Sequence, residues 1–466
     1  MESTMTTQIA DLGRTLPDRV SMPGDARYAA ATAIWPKVDV APAAVVTCRN
    51  VADVQAAIAA ARKANLPLSV RGGGHDWVGR ALCDGIVIDL SQMREVTIAA
   101  GRRTALIQGG IRARDIVSAI DPLGLAAVTG SCGGVGMAGL TLGGGYGPLI
   151  GRQGLALDNL VEAQVVLADS SVVSASASEN QELFWALRGG GGNFGVITAM
   201  RCKLHEMPSV HAGVLIYPMS EAKSVLIQAA TLAASMPDEL SVQLGIAAGP
   251  DGSFGVLVAP VWCGAPEDGE PQLASFLGLG TLLAGAIERK SQTALLPMFD
   301  AMIVDGLRVH IETCWLDVLD GESIDAMVGA MAKAVSPGCA ILTHEFKGAA
   351  CRVATDATAF GVRRPHILIE VLTMFPEPDD VRDTQRHTTW ARQTRDAFTS
   401  ALPGGYPNLL GRDDPARAAA SYGGNAVRLI KAKRRYDPDN FFRPQSRCRR
   451  IERQHFRTGN RSTCSF

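Results

Sequence analysis

The stretch Val128–Gly147, reading VTGSCGGVGMAGLTLGGGYG, constrains this chain more than any other. Nine of its twenty residues are glycine, and Cys132 sits among them. Glycine at that density belongs where backbone turns sharply or lies directly against a ligand, because glycine has no Cβ. A nucleophilic thiol in such a loop suggests a task beyond turning. Upstream, Leu68–Val70 reads as a strand that runs straight into a matching loop, Arg71-Gly72-Gly73-Gly74-His75. The question these two loops pose is whether His75 and Cys132 reach one bound molecule.

The surrounding pattern is that of alternating strands and helices from residue 45 to 204. Val45–Cys48 is a short apolar strand. Asn50 caps a helix carrying Val54, Ala57, Ile58 and Ala61 on one face, and Asn65 and Pro67 end it. Gly85–Leu90 and Val161–Leu167 are further strands. A helix is expected over Arg112–Ile120 and another over Asn180–Leu187. From His205 onward glycine clusters thin out. Leu240–Ala247 and Phe254–Val261 flank Gly249-Pro250-Asp251-Gly252, a hairpin signal, while Glu221–Met236 and Ser323–Val335 read as helices. This second region is expected to be an antiparallel sheet with helices.

With 466 residues the chain exceeds one ordinary core, so two domains are expected. A net charge of -1 argues against a chain built for nucleic acid or for an anionic membrane. No apolar run is long enough to span a bilayer, and the first residues lack a basic start followed by an apolar core. The expected location is the cytoplasm. The ten cysteines are scattered without CxxC spacing, so no metal site is expected. Nothing in the sequence specifies an oligomer.

Three glycine-rich loops offer many backbone N–H groups to anionic oxygens. None fits the dinucleotide fingerprint, since Gly143-Gly144-Gly145-Tyr146-Gly147 is followed by Pro148 and no helix is expected to open there. No loop ends in Gly-Lys-Ser/Thr either. Taken alone, His75 reads as a hydrogen-bonded loop histidine and Cys132 as a small buried residue.

Four separated motifs change that weighting: RGGGHDW, GSCGGVGMAGLTLGGGYG, LFWALRGGGGNFGVIT and YDPDNFF. In this order and spacing they resemble the berberine bridge enzyme-like FAD-linked oxidases of the vanillyl-alcohol oxidase/p-cresol methylhydroxylase superfamily. The resemblance runs from Pro23 to Phe442. It implies a two-domain α+β flavoprotein: a PCMH-type FAD-binding domain over 1–205, a substrate domain over 206–403, and a segment over 404–445 that returns to the first domain. Residues 446–466 depart from the pattern. This arginine-rich tail changes composition abruptly, as after a frameshift, and is expected to be disordered.

The resemblance also implies FAD held by two covalent bonds, His75 to the flavin 8-methyl carbon and Cys132 to carbon 6. Arg71, Gly72, Gly73, Gly74 and Asp76 would cradle the pyrophosphate. Gly130, Ser131, Val135, Gly136, Gly139, Gly145 and Tyr146 would meet the cofactor from the central stretch. Gly192, Asn193, Gly195, Val196 and Ile197 would do so from the third loop, and Asn440 from the C-terminal motif. Val135 matches a position where valine accompanies oxygen reactivity, and Leu140 stands where plant members often carry histidine.

The implied reaction takes hydride from a small organic substrate (a sugar, alcohol or secondary metabolite) and reoxidises the flavin with O₂ to give H₂O₂. A dehydrogenase using another acceptor, or a catalytically silent flavin-binding protein, are the alternatives. Many members place a tyrosine base in YxNY; here Tyr406-Pro407-Asn408-Leu409 keeps the first tyrosine and replaces the second. Leu409 cannot be a base. Tyr406 and Tyr422 could substitute, although packed tyrosines are common. Glu370, inside the apolar run ILIEVLTM, is the other candidate, with a solvent-facing strand residue as its plain alternative. His366, four residues before it on the same strand face, is its expected partner.

Overall fold

The computed structural model describes residues 2–377, 380–411 and 415–442. The tail at 446–466 and the last residues of the 404–445 segment lie outside them. Two smaller sheets and a two-stranded ribbon, Leu125–Ala126 with His205–Glu206, build the half that carries the glycine loops. In the first, Ala44–Thr47, Ile86–Asp89 and Leu68–Arg71 are parallel, and Val20–Ser21 adds an antiparallel edge. Ile86–Asp89 is buried along its whole length, as a central parallel strand must be. Helix Val51–Ala64 covers this sheet with Val54, Ala57, Ile58 and Ala61, the face expected from the sequence. Asn50 accepts the Asp53 N–H at 3.0 Å, and Asn65 closes the helix in the left-handed region. Leu68–Arg71 therefore delivers Gly72–His75 at the carboxyl end of a parallel strand, where open α/β sheets place their ligands.

The second sheet is antiparallel, in the order Val96–Ile98, Thr104–Gln108, Val196–Lys203, Leu160–Val166, Val172–Ser176. It shares a core with helices Ala113–Ile120, Gln181–Leu187 and Ala426–Tyr436. The last of these brings the C-terminal segment back across the chain. Its Lys433 donates to the Asn193 carbonyl at 2.6 Å and so supports the third glycine loop.

An eight-stranded antiparallel sheet forms the other half. Its centre runs Phe254–Trp262, Leu240–Ala248, Cys339–Phe346, His366–Phe375, Arg308–Leu316. Alternation gives it two distinct faces. Val242, Leu244, Ile341, Ile369, Val371 and Cys314 pack under helices Ala222–Ser235, Gly321–Met331 and Val381–Asp396. Gln243, Leu342, His344, Glu370, Leu372 and Ile311 point the other way, toward the glycine loops. The molecule is thus a two-domain α+β structure. Among the described residues no helix is long and apolar enough to cross a membrane.

One expectation about the centrepiece needs correction. Met137–Gly143 is a helix, and a short helix Ile150–Gln153 follows Pro148. Two glycines within seven residues argue against a helix. Burial of Met137, Ala138 and Leu142 outweighs them, and Asn408 donates its amide to the Gly139 carbonyl at 3.1 Å.

Arg363 joins the two halves. Its side chain is fully buried and makes a two-pronged ion pair with Asp158, each bond 2.9 Å, while also donating to Phe360, Ala350 and Thr358. Removing one partner strands the other charge in the interior. Arg363→Leu is expected to lower unfolding stability by about 3–5 kcal/mol in denaturant titration. A loss below about 1 kcal/mol, the value of an exposed pair, would contradict this role.

Candidate active site

Between the glycine loops and the inner face of the large sheet lies a cavity of about 340 Å³. Its floor depends on one contact. A Cβ on Gly73 would lie 2.3 Å from the Gly136 nitrogen, and one on Gly136 would lie 2.4 Å from the Gly73 nitrogen. The two loops meet backbone to backbone, which only glycine permits. The Ala113 N–H holds the Val135 carbonyl at 2.9 Å and the Met137 N–H holds Ile111 at 3.0 Å, so the central stretch is pinned on either side of Gly136.

His75 and Cys132 both line this cavity. The His75 ring packs on Trp35, with centroids 4.7 Å apart, and burial lowers its proton affinity. Its Nε2 is buried with no hydrogen-bond partner among the described residues. Burial, reinforced by Asp300 and Glu370, pushes the Cys132 thiol up to about 12. At neutral pH this residue is a thiol, not the preformed thiolate that reactive cysteines usually present. Asp300 also accepts the Gly133 N–H at 2.8 Å and so fixes the turn after the cysteine.

The facing wall carries a histidine–carboxylate pair. His344 Nε2 lies 3.0 Å from Glu370 Oε2, and Gln243 Nε2 lies 3.3 Å from His344 Nδ1. Glu370 pairs in register with Leu342, so His344 is its diagonal neighbour on the same sheet face. Tyr146 packs between the halves, 4.6 Å from the His344 ring and 4.9 Å from Tyr406. Burial, with Glu370 next in weight, raises the Tyr146 phenol well above its ordinary value. The Tyr406 hydroxyl accepts the Gly145 N–H at 2.7 Å. Leu409 lines the cavity, and its carbonyl accepts the Trp77 indole N–H at 3.0 Å.

Of the residues expected at the cofactor, Gly72, Gly73, Gly74, Asp76, Gly130, Ser131, Val135, Gly136, Gly139, Tyr146, Gly192, Asn193, Gly195, Val196 and Ile197 all line the cavity, as do Glu370 and Tyr406. Four others do not. Arg71 sits beneath the loop, donating to the Ala31 carbonyl at 2.7 Å and pairing with Asp89. Gly145 packs against Ala156 and Leu140 at positive φ, and Asn440 turns the chain after the last helix, also at positive φ. Tyr422 is buried in the core shared with Leu429 and Trp185, so it has no face toward a substrate.

The expected partner of Glu370 also needs correction. His366 shares its face but lies four residues along the strand, about 13 Å away. It is buried, stacks on Phe346 at 4.4 Å and hydrogen-bonds the Arg364 carbonyl. His344, which takes that role, lies on the neighbouring strand and gives no signal without the sheet order.

The family pattern described as "FAD binding domain" matches residues 42–176, and that described as "Berberine and berberine like" matches 405–446. The chain is 30% identical over 457 residues to the FAD-linked oxidoreductase pgmH of Aspergillus terreus, spanning 88% of this chain and 89% of that one. The chain belongs to the berberine bridge enzyme-like FAD-linked oxidoreductases. It is also 28% identical over 449 residues to (R)-6-hydroxynicotine oxidase of Paenarthrobacter nicotinovorans, covering 92% and 96% of the two chains. The crystal structure of 6-hydroxy-D-nicotine oxidase from Arthrobacter nicotinovorans superposes with a TM-score of 0.83 at 27% identity, covering 92% and 97%.

The cofactor of this family is FAD, and the cavity suits it. Three glycine loops converge on it, and the buried His75 Nε2 and Asn193 Oδ1, on two residues of the cavity wall, lack partners among the described residues.

Burial gives His366 a measurable signature. Its imidazole is held at about 4, against 6.5 in the unfolded chain, chiefly by loss of water. Between those values the unfolded chain binds more protons, so stability falls as pH drops from 6.5 toward 4, by on the order of 3 kcal/mol. His366→Phe is expected to flatten that part of the stability–pH curve. An unchanged slope would contradict the assignment.

Proposed function

We propose that this flavoenzyme is an oxidase whose FAD is attached through both His75 and Cys132. The observation that carries this reading is that two nucleophiles from separate loops line one cavity, opposite a carboxylate held by a histidine. The three glycine loops would hold the dinucleotide, with Val196 and Ile197 against it. Bound FAD supplies the two-electron acceptor for a substrate C–H and returns the electrons to O₂ as H₂O₂.

The protein's own part is to bind, orient and take a proton. Ile311, Leu342, Leu372 and Leu409 give the cavity an apolar wall, which suits a small, hydrocarbon-rich molecule. Glu370 would accept the proton from the substrate heteroatom. Tyr406 is the weaker candidate, because its hydroxyl is already engaged with the Gly145 N–H. Domain limits at 1–205 and 206–403, with 404–445 returning to the first, belong to the same proposal.

A panel of small alcohols, aldoses and cyclic amines, mixed anaerobically with the holoenzyme, tests the reading. At least one compound should bleach the flavin, and in air that compound should yield H₂O₂. Glu370→Gln is expected to slow bleaching about 10²–10⁴-fold, the range of general base catalysis, and Tyr406→Phe by clearly less. Equal or reversed effects refute the ranking. Flavin that no compound reduces favours a silent flavin-binding protein.

A further inference from the structure

We propose that Gln243 and His344 form a fixed hydrogen-bond chain that presents Glu370 to the cavity as an anionic acceptor, with His344 a neutral Nε2–H donor. This rests on the reading of Glu370 as base. It deepens that reading by assigning Gln243 and His344 as positioning residues.

The three side chains come from three adjacent strands, Leu240–Ala248, Cys339–Phe346 and His366–Phe375, on the sheet face turned to the cavity. The Gln243 amide nitrogen faces His344 Nδ1 at 3.3 Å. An amide NH₂ only donates, so Nδ1 accepts and the single proton of the neutral ring lies on Nε2. That proton points at Glu370 Oε2, 3.0 Å away. An imidazolium would set Nδ1–H against N–H, two donors face to face. His344 is therefore a donor to the carboxylate, not a store for its proton. The Tyr146 ring packs against it in a tilted contact at 4.6 Å and limits its rotation. Oε1 has no protein donor among the described residues, which leaves it as the oxygen that meets the substrate. In this orientation Gln243 Oε1 is buried without a partner among the described residues. The reverse amide orientation would place it against Nδ1 and require an Nδ1–H, either in the imidazolium beside an anionic Glu370 or in the neutral Nδ1–H tautomer accepting from a protonated Glu370, so the arrangements differ in where the protons sit.

Holoenzyme labelled with ¹⁵N-histidine reports this directly, without turnover. The His344 signals are identified by their loss in His344→Phe, which keeps a ring against Tyr146. At neutral pH the expected pattern is a proton on Nε2 and none on Nδ1. Glu370→Gln should move the Nε2–H proton signal upfield, because the charged acceptor is gone. Gln243→Leu should admit a share of the Nδ1–H form. A proton on Nδ1 in the unaltered protein, alone or together with Nε2–H, overturns the proposal, as does an Nε2–H signal that ignores Glu370→Gln. If His344 responds as described while Glu370→Gln leaves flavin bleaching fast, the hydrogen-bond chain stands and the base reading falls.

Discussion

Everything at the cofactor end depends on the approach of Gly73 to Gly136. Two loops that begin on different sheets are brought to atomic contact, and any side chain at either position would occupy backbone. That contact brings His75 and Cys132 into the lining of a single cavity. It also explains why glycine is concentrated at these points. A dinucleotide laid along the loops meets N–H groups and no side-chain bulk, and the tight backbone packing leaves the loops little freedom to move apart.

The second half of the protein adds what the glycine loops lack. Its sheet buries one face under helices and turns the other to the cavity, with Glu370, His344 and Gln243 in line across three strands. Arg363 and Asp158 hold the two halves in register through buried, charge-assisted hydrogen bonds. Tyr146 contacts both sides, with its ring on His344 and Tyr406. On the proposed reading, a reacting carbon between the loops and the sheet would meet the flavin on one side and Glu370 on the other.

The cofactor end was legible in the sequence because glycine density is a statement about backbone, and backbone demands do not wait for tertiary context. The hairpin at Gly249-Pro250-Asp251-Gly252 was legible for the same reason, and Gly252 takes the positive φ it allows. The helix Met137–Gly143 was not, since its propensity is poor and its support comes from Asn408, far along the chain. His344 was invisible as a partner of Glu370, because the diagonal contact exists only once the register of Leu342 with Glu370 is set. Tyr422 and Asn440 were expected at the site, and neither lines the cavity. Tyr422 packs in the core beside Leu429 and Trp185, and Asn440 takes a positive φ at the turn after the last helix.

The most direct measurement of the two-loop account is the mass of the denatured, desalted protein. If the loops deliver both nucleophiles to one flavin, the chain carries the mass of one FAD, His75→Ala and Cys132→Ala each still carry it, and the double variant carries none. A denatured wild-type chain at its bare mass, with all flavin left in the supernatant, would contradict it.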